Sequence, residues 1–229
     1  VLIYFVLDGF DLGIGILVPF ISDRQERDVM MNTVAPVWDG NETWMVLGGA
    51  GLFAAFPLVY STVLSALYMP IILMVIALIF RGVAFEFRFK ANKTKHLWDQ
   101  AFIWGSILSS FLQGVILGAY IQGIETTNGI YTGGGLDWLT PFSLFTGISV
   151  VVLYATLGCG WLIKKKKKML QNRMFELMPK LLISLLMIFA CVSIYTPLAH
   201  PQIAERWFSQ PQLFYFSPVP VLVPGNQSL

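Results

Sequence analysis

An all-α, polytopic membrane bundle of about six spans is the fold this sequence predicts, and three observations carry the prediction. The chain of 229 residues is 56% hydrophobic and only 12% charged, where a soluble domain carries about 25% charged residues. Those charges are clustered, which leaves apolar runs long enough to cross a bilayer. One heptad, Trp38-Asp39-Gly40-Asn41-Glu42-Thr43-Trp44, sets two carboxylates and an amide inside otherwise apolar sequence. The net charge of +2 is too small to suggest a nucleic-acid partner.

A helix crossing about 30 Å of hydrocarbon needs roughly 20 residues. Spans are expected near 1–21, 36–56, 57–87, 102–122, 141–163 and 180–198, all in one transmembrane domain over 1–229. The first is shortened at its start, because Val1 already lies in an apolar run. The sequence closes on the proline-rich Pro224-Gly225-Asn226-Gln227-Ser228-Leu229, so it reads as part of a longer chain. The first apolar run leads into aspartates rather than a small-residue cleavage site, unlike a signal peptide.

Orientation follows from lysine and arginine in the short loops. Arg88, Lys90, Lys93 and Lys95 make one loop basic; Lys164 to Lys168, with Arg173 and Lys180, make another. Between them, Gly123 to Thr140 carries Glu125 and Asp137 and no cation, and the segment after Leu198 offers Arg206 alone. The loop Ser22 to Asn32 holds Arg24 and Arg27 beside Asp23, Glu26 and Asp28. If it too is cytoplasmic, the chain between it and Arg88 crosses twice. Pro36 to Phe56 then spans despite its polar heptad, with Val1 outside and Pro57 at a tight turn. The alternative is a long external loop over Ser22 to Phe56 and five spans, which would leave Met45 to Phe56 uncomfortably apolar for water.

Haem iron usually takes His, Met, Cys or Tyr axial ligands. His96 falls in a basic loop and His200 just past the last span, and no metal-ligand spacing occurs. The expectation is that this chain holds no haem and no metal of its own. Cys159 and Cys191 lie in apolar segments and read as buried thiols.

Carboxylates are the stronger signal. Asp8 and Asp11 share a face of the first helix, and Asp39 and Glu42 repeat that spacing in the second. Acidic and amide groups at bilayer depth are the usual material of proton routes. The competing reading has them capping helix ends or pairing with Arg24, Arg27 or Arg81. Glu86, near Arg81 and Arg88, could likewise be a plain salt bridge. Trp38 and Trp44 either anchor a helix end at the interface or wall a proton or quinone entry. The glycines Gly9, Gly13 and Gly15, Gly48, Gly49 and Gly51, and Gly114 and Gly118 read as close helix packing. Lys164 to Lys168 reads as an orientation signal, with anionic-lipid binding as a lesser role.

Asp8-Gly9-Phe10-Asp11-Leu12-Gly13, Ala35-Pro36-Val37-Trp38-Asp39-Gly40-Asn41, Leu52-Phe53-Ala54-Ala55-Phe56-Pro57 and Phe80-Arg81-Gly82-Val83-Ala84-Phe85-Glu86-Phe87-Arg88 closely resemble subunit II of the cytochrome bd family of bacterial quinol oxidases. Glu42-Thr43-Trp44 resembles the cyanide-insensitive branch. The resemblance implies a fold of two four-helix bundles plus a peripheral helix, nine spans in all, of which the last three are absent here. It implies a multi-pass protein of the bacterial inner membrane, partnered with oxidase subunit I. The b-type and d-type haems and the quinol-oxidising loop are expected on that partner, where quinol and dioxygen react. A structural quinone is a further candidate cofactor. By the same resemblance Asp39 lies on a proton route toward the haems, with Asp11 close by; the reading of the residues themselves adds Asp8, Asn41, Glu42, Trp38 and Glu86 to the candidate path. The competing function is an ion-coupled secondary transporter; another is a scaffold in which every acid is replaceable.

Overall fold

The computed structural model describes residues 2–91, 93–127, 129–165, 168–199 and 205. In chain order these form α1 (Leu2–Leu17), a 3-10 turn (Val18–Phe20), α2 (Arg24–Val34), α3 (Trp38–Ala55), α4 (Pro57–Arg88) and α5 (Lys95–Gln122). A two-residue hairpin of β1 (Thr126–Thr127) and β2 (Ile130–Tyr131) precedes α6 (Pro141–Lys164) and α7 (Lys168–Ala199). His200 and Arg206 lie outside the described residues.

Local chemistry sets the boundaries. Asp23 caps α2 by accepting from the backbone N–H groups of Gln25 and Glu26. Thr140 and Ser143 form a reciprocal capping box at the start of α6, with Pro141 in its first turn. Phe56 alone separates α3 from α4, and Pro57 opens α4 where its missing N–H costs nothing. Pro70 falls inside α4, and the helix kinks at Leu67 (φ −116°, ψ 19°). A proline ring displaces the preceding turn and removes its hydrogen bond, which accounts for the bend.

Among the described residues five helices are long and apolar enough to cross a membrane: Ile3–Phe20, Pro57–Arg88, Lys95–Gln122, Pro141–Lys164 and Leu170–Ala199. The stretch between Ser22 and Phe56 is two helices rather than an open loop. Of these α3 has 18 residues, roughly 27 Å of helix, but its polar heptad keeps it out of the five. Two helices start earlier than hydropathy suggests, α5 at Lys95 and α7 at Lys168. In both, polar turns extend the helix beyond its apolar stretch.

The core sits between α1, α4, α5 and α6. Backbones touch where small residues face each other. A Cβ on Gly158 would lie 2.6 Å from the Gly13 carbonyl carbon, and one on Gly114 2.7 Å from Gly147 Cα, so α1–α6 and α5–α6 approach as close-packed membrane helices do. By contrast α3 packs on α1 and α4 yet buries no residue completely, and none of the described residues beyond their own helix comes within 4 Å of a Cβ built on Gly48, Gly49 or Gly51. It runs antiparallel to α4: Trp38 stacks on Phe85 at one end, and Phe53 meets Tyr60 at the other. The chain up to Leu185 is one compact unit; past it, the last turns of α7 and Glu205 are described.

Candidate functional site

Arg81 is fully buried in α4, a position that Gly105 of α5 makes available. A Cβ on Gly105 would lie 2.7 Å from the Ala77 carbonyl oxygen and 3.0 Å from the Arg81 backbone nitrogen. Three acids from two other helices surround the guanidinium. Nη1 lies 3.2 Å from Asp8 Oδ1 and 3.6 Å from Glu42 Oε2. Asn41, beside Glu42, donates from Nδ2 to Asp11 Oδ2 at 2.7 Å. Asp8 and Asp11 are both 0% exposed. Aromatic rings close the side toward Phe85: Arg81 sits 5.9 Å from the Trp38 ring and 5.8 Å from that of Phe85. Those two rings stack at 5.0 Å, and Gly82 leaves the space Trp38 needs.

One arginine cannot balance Asp8, Asp11 and Glu42 if all three are ionised. Buried charge is costly unless paired, so such a cluster lowers its energy by holding protons. Among the described residues, Asp8 Oδ2, Asp11 Oδ1, and Arg81 Nε and Nη2 have no hydrogen-bond partner. Buried polar groups of this kind are ordinarily met by water. Chemically, the arrangement can accept, hold and release a proton.

A second polar group lies deeper between α1, α5 and α6. Tyr154 donates its hydroxyl to Gln113 Oε1 at 2.7 Å, and Gln113 Nε2 donates to the Tyr4 hydroxyl at 2.9 Å. All three are at most 5% exposed.

A third ion network gathers at the basic end of the bundle. Arg88 pairs with Asp28 at 2.6 Å and with Asp99, while Lys95 reaches Asp28 at 2.9 Å and Arg173 reaches Glu26 at 3.4 Å. Partial burial pushes the Asp28 carboxyl up, but hydrogen bonds from Lys95 and Arg88 outweigh it and hold the group below the usual carboxylate range.

Of the residues singled out from sequence, the structure brings Asp8, Asp11, Asn41, Glu42 and Trp38 together around Arg81. Asp39 does not reach Arg81; it is exposed on α3. Glu86 is also apart, exposed and 3.5 Å from Lys90 one turn on, rather than beside Arg81 or Arg88. Trp44 is exposed. Arg24 and Arg27 do not serve the acids either: Arg27 Nε donates to the Ile21 carbonyl at 2.6 Å. His96 is exposed in the basic region and does not face the bundle interior, so it does not fit an axial haem ligand there. Among the described residues no three His, Cys, Asp or Glu side chains gather as metal ligands. Cys159 is buried as expected, whereas Cys191 is exposed.

Sequence reasoning treated Arg81 only as a partner, though the structure makes it the centre. A lone cation inside the apolar run 57–87 was the available signal. Tyr4, Gln113 and Tyr154 went unnoticed, since phenols and a single amide are ordinary in membrane helices.

An all-helical, multi-pass membrane protein with an ionisable interior is the class that fold and site define. The chain belongs to the cytochrome bd terminal oxidase subunit II family, whose model matches residues 1–226. Its relatives include the probable cytochrome oxidase subunit 2 of Haemophilus influenzae, 35% identical over 178 residues, which covers 73% of this chain and 47% of that protein. The cytochrome bd ubiquinol oxidase subunit 2 of Bacillus subtilis is 34% identical over 184 residues, 78% of this chain and 54% of the relative. The cytochrome bd-I ubiquinol oxidase subunit 2 of Escherichia coli K12 is 35% identical over 169 residues, 69% and 44%. The chain thus spans about half the length of these curated relatives.

Proposed function

We propose that this chain works as subunit II of a membrane quinol:oxygen oxidoreductase, supporting a haem-bearing subunit I and supplying protons for reduction of dioxygen to water. Family membership supports the oxidase setting. In this reading the b-type and d-type haems and quinol oxidation belong to subunit I, and this chain binds none of them. The protein lies in the bacterial inner membrane with its basic loops toward the cytoplasm. α3 makes the sixth crossing, and the ion pair between Asp28 and Arg88 supports it by holding the middle of α2 and the end of α4 at one level.

The observation that carries the proton role is the division of labour on α3. Asp39 occupies its open flank, while Asn41 and Glu42, less than a turn on, reach Asp11 and Arg81. Protons would enter at the basic end near Asp39, exchange with the stock held around Arg81, and leave across the uncovered face of α3. That face, rich in glycine and buried against none of the described residues, suits close docking of a helix from subunit I. Asp39→Asn in the complete oxidase should lower oxygen consumption by roughly tenfold or more, as loss of a positioned proton donor does, and alter the haem spectrum. Unchanged turnover and spectrum would remove Asp39 from the route.

A further inference from the structure

Polar side chains do not stop at Asp8; they continue toward the acidic end of the bundle, where an unbroken path would be harmful. α1 and α6 run toward the basic end and α5 runs away from it, so Tyr4 and Gln113 lie on the acidic-end side of Asp8. Tyr4 and Asp8, four residues apart, share a face of α1, and Gln113 links Tyr4 to Tyr154. A protein that stores protons around Arg81 while sustaining a gradient must keep them from escaping on this side.

We infer that the Tyr154–Gln113–Tyr4 triad is a proton-insulating plug that closes the acidic-end side of the Arg81 cluster. This rests on the proton-route reading above. A carboxyl or hydroxyl passes a proton by releasing one hydrogen and taking another, but a side-chain amide has no readily exchanged acidic form. Gln113 separates the two phenols in either orientation of its amide. Each of the three side chains has a hydrogen-bond partner within the triad, which lowers the cost of holding polar groups at depth. Phe5, edge-on to Tyr154 at 5.9 Å, helps keep water out. Gly9 admits the Tyr154 ring, which a Cβ there would meet at 2.8 Å.

The test is passive proton leak in vesicles holding the complete oxidase complex, with no quinol supplied and an internal pH dye. Gln113→Glu, which swaps the amide for a titratable group of the same size, should speed decay of an imposed pH gradient several-fold. Gln113→Leu, apolar and unable to carry a proton, should stay as tight as the parent. Equal decay in all three, or equal acceleration in both variants, overturns the plug. The haem spectrum reports assembly. If Gln113→Glu does not assemble, Gln113→His takes its place. A complex that assembles with Leu but with neither titratable group, or with none of the three, makes the triad a packing element and ends the proposal. Adding Asp39→Asn to the leaking variant should restore tightness; a leak that persists keeps the plug and overturns the Asp39 route instead.

Discussion

Arg81 and Arg88 sit two turns apart on the same helix, both buried and both paired with aspartate, yet their surroundings differ in charge. Around Arg88 the cations Arg88 and Lys95 meet the anions Asp28 and Asp99, and the sum is zero. Around Arg81 a single cation meets Asp8, Asp11 and Glu42. The balanced network carries no excess charge, and its ion pairs act as a clamp that fixes α2 and α5 to the end of α4. The unbalanced one can shed its excess charge only by holding protons. Composition does not separate the two sites; stoichiometry at each arginine does.

Removing the central cation should have the largest effect. Arg81→Leu strands Asp8 without its partner in the core, and breaking a buried pair costs about 3–5 kcal/mol. The expected outcome is loss of assembled complex, read as haem absorbance per milligram of membrane protein. Arg81→Leu with Asp8→Leu should recover part of it, because the pair rather than the charge is then replaced. No recovery in the double variant would mean that Glu42 and Asp11 depend on Arg81 as strongly as Asp8 does.

Much of this site was legible from one strand of reasoning, that ionised groups at bilayer depth need an explanation. It located Asp8, Asp11, Asn41 and Glu42 from identity and spacing alone. It could not orient α3, because a membrane helix facing lipid or a partner shows no polar stripe to mark its outer side, and Asp39 therefore seemed to belong with Glu42. Nor could it find Tyr4, Gln113 and Tyr154, which meet only through the relative register of α1, α5 and α6. Hydropathy placed the last span near 180–198, but α7 starts at Lys168 because helix formation continues past the edge of the apolar stretch.

A smaller effect is expected at the clamp, and its pH dependence sharpens the contrast. The lowered carboxyl of Asp28 contributes stability that is fully present above the ordinary carboxylate range and is lost as pH falls through its lowered value. The side chain is 33% exposed, so screening limits the contribution to about 1 kcal/mol or less. The thermal midpoint of the parent complex should fall on acidification. Asp28→Asn should start slightly lower and show a flatter acid limb. An identical acid limb in both would show that the clamp contributes nothing through Asp28.

The smallest effect belongs to Glu86. It lies less than two turns from Arg81 along α4, and the sequence alone made it a candidate for the proton path. The helix turns it outward, however: its side chain is 68% exposed and meets Lys90, itself 77% exposed. An exposed pair one turn apart gains little, since water solvates each charge nearly as well as the partner does. Among the described residues a proton on Glu86 has no side-chain neighbour leading inward, because Phe85 and Phe87 flank it and Arg81 is sealed behind Trp38. Glu86→Gln should therefore leave oxygen consumption and the haem spectrum unchanged, whereas the proposed route has Asp39→Asn change both. If Glu86→Gln instead slowed turnover as much as Asp39→Asn, protons would be reaching the oxidase along the lipid-side flank of α4. The Arg81 cluster would then be a buried anchor like the clamp at Arg88, differing in burial but not in role.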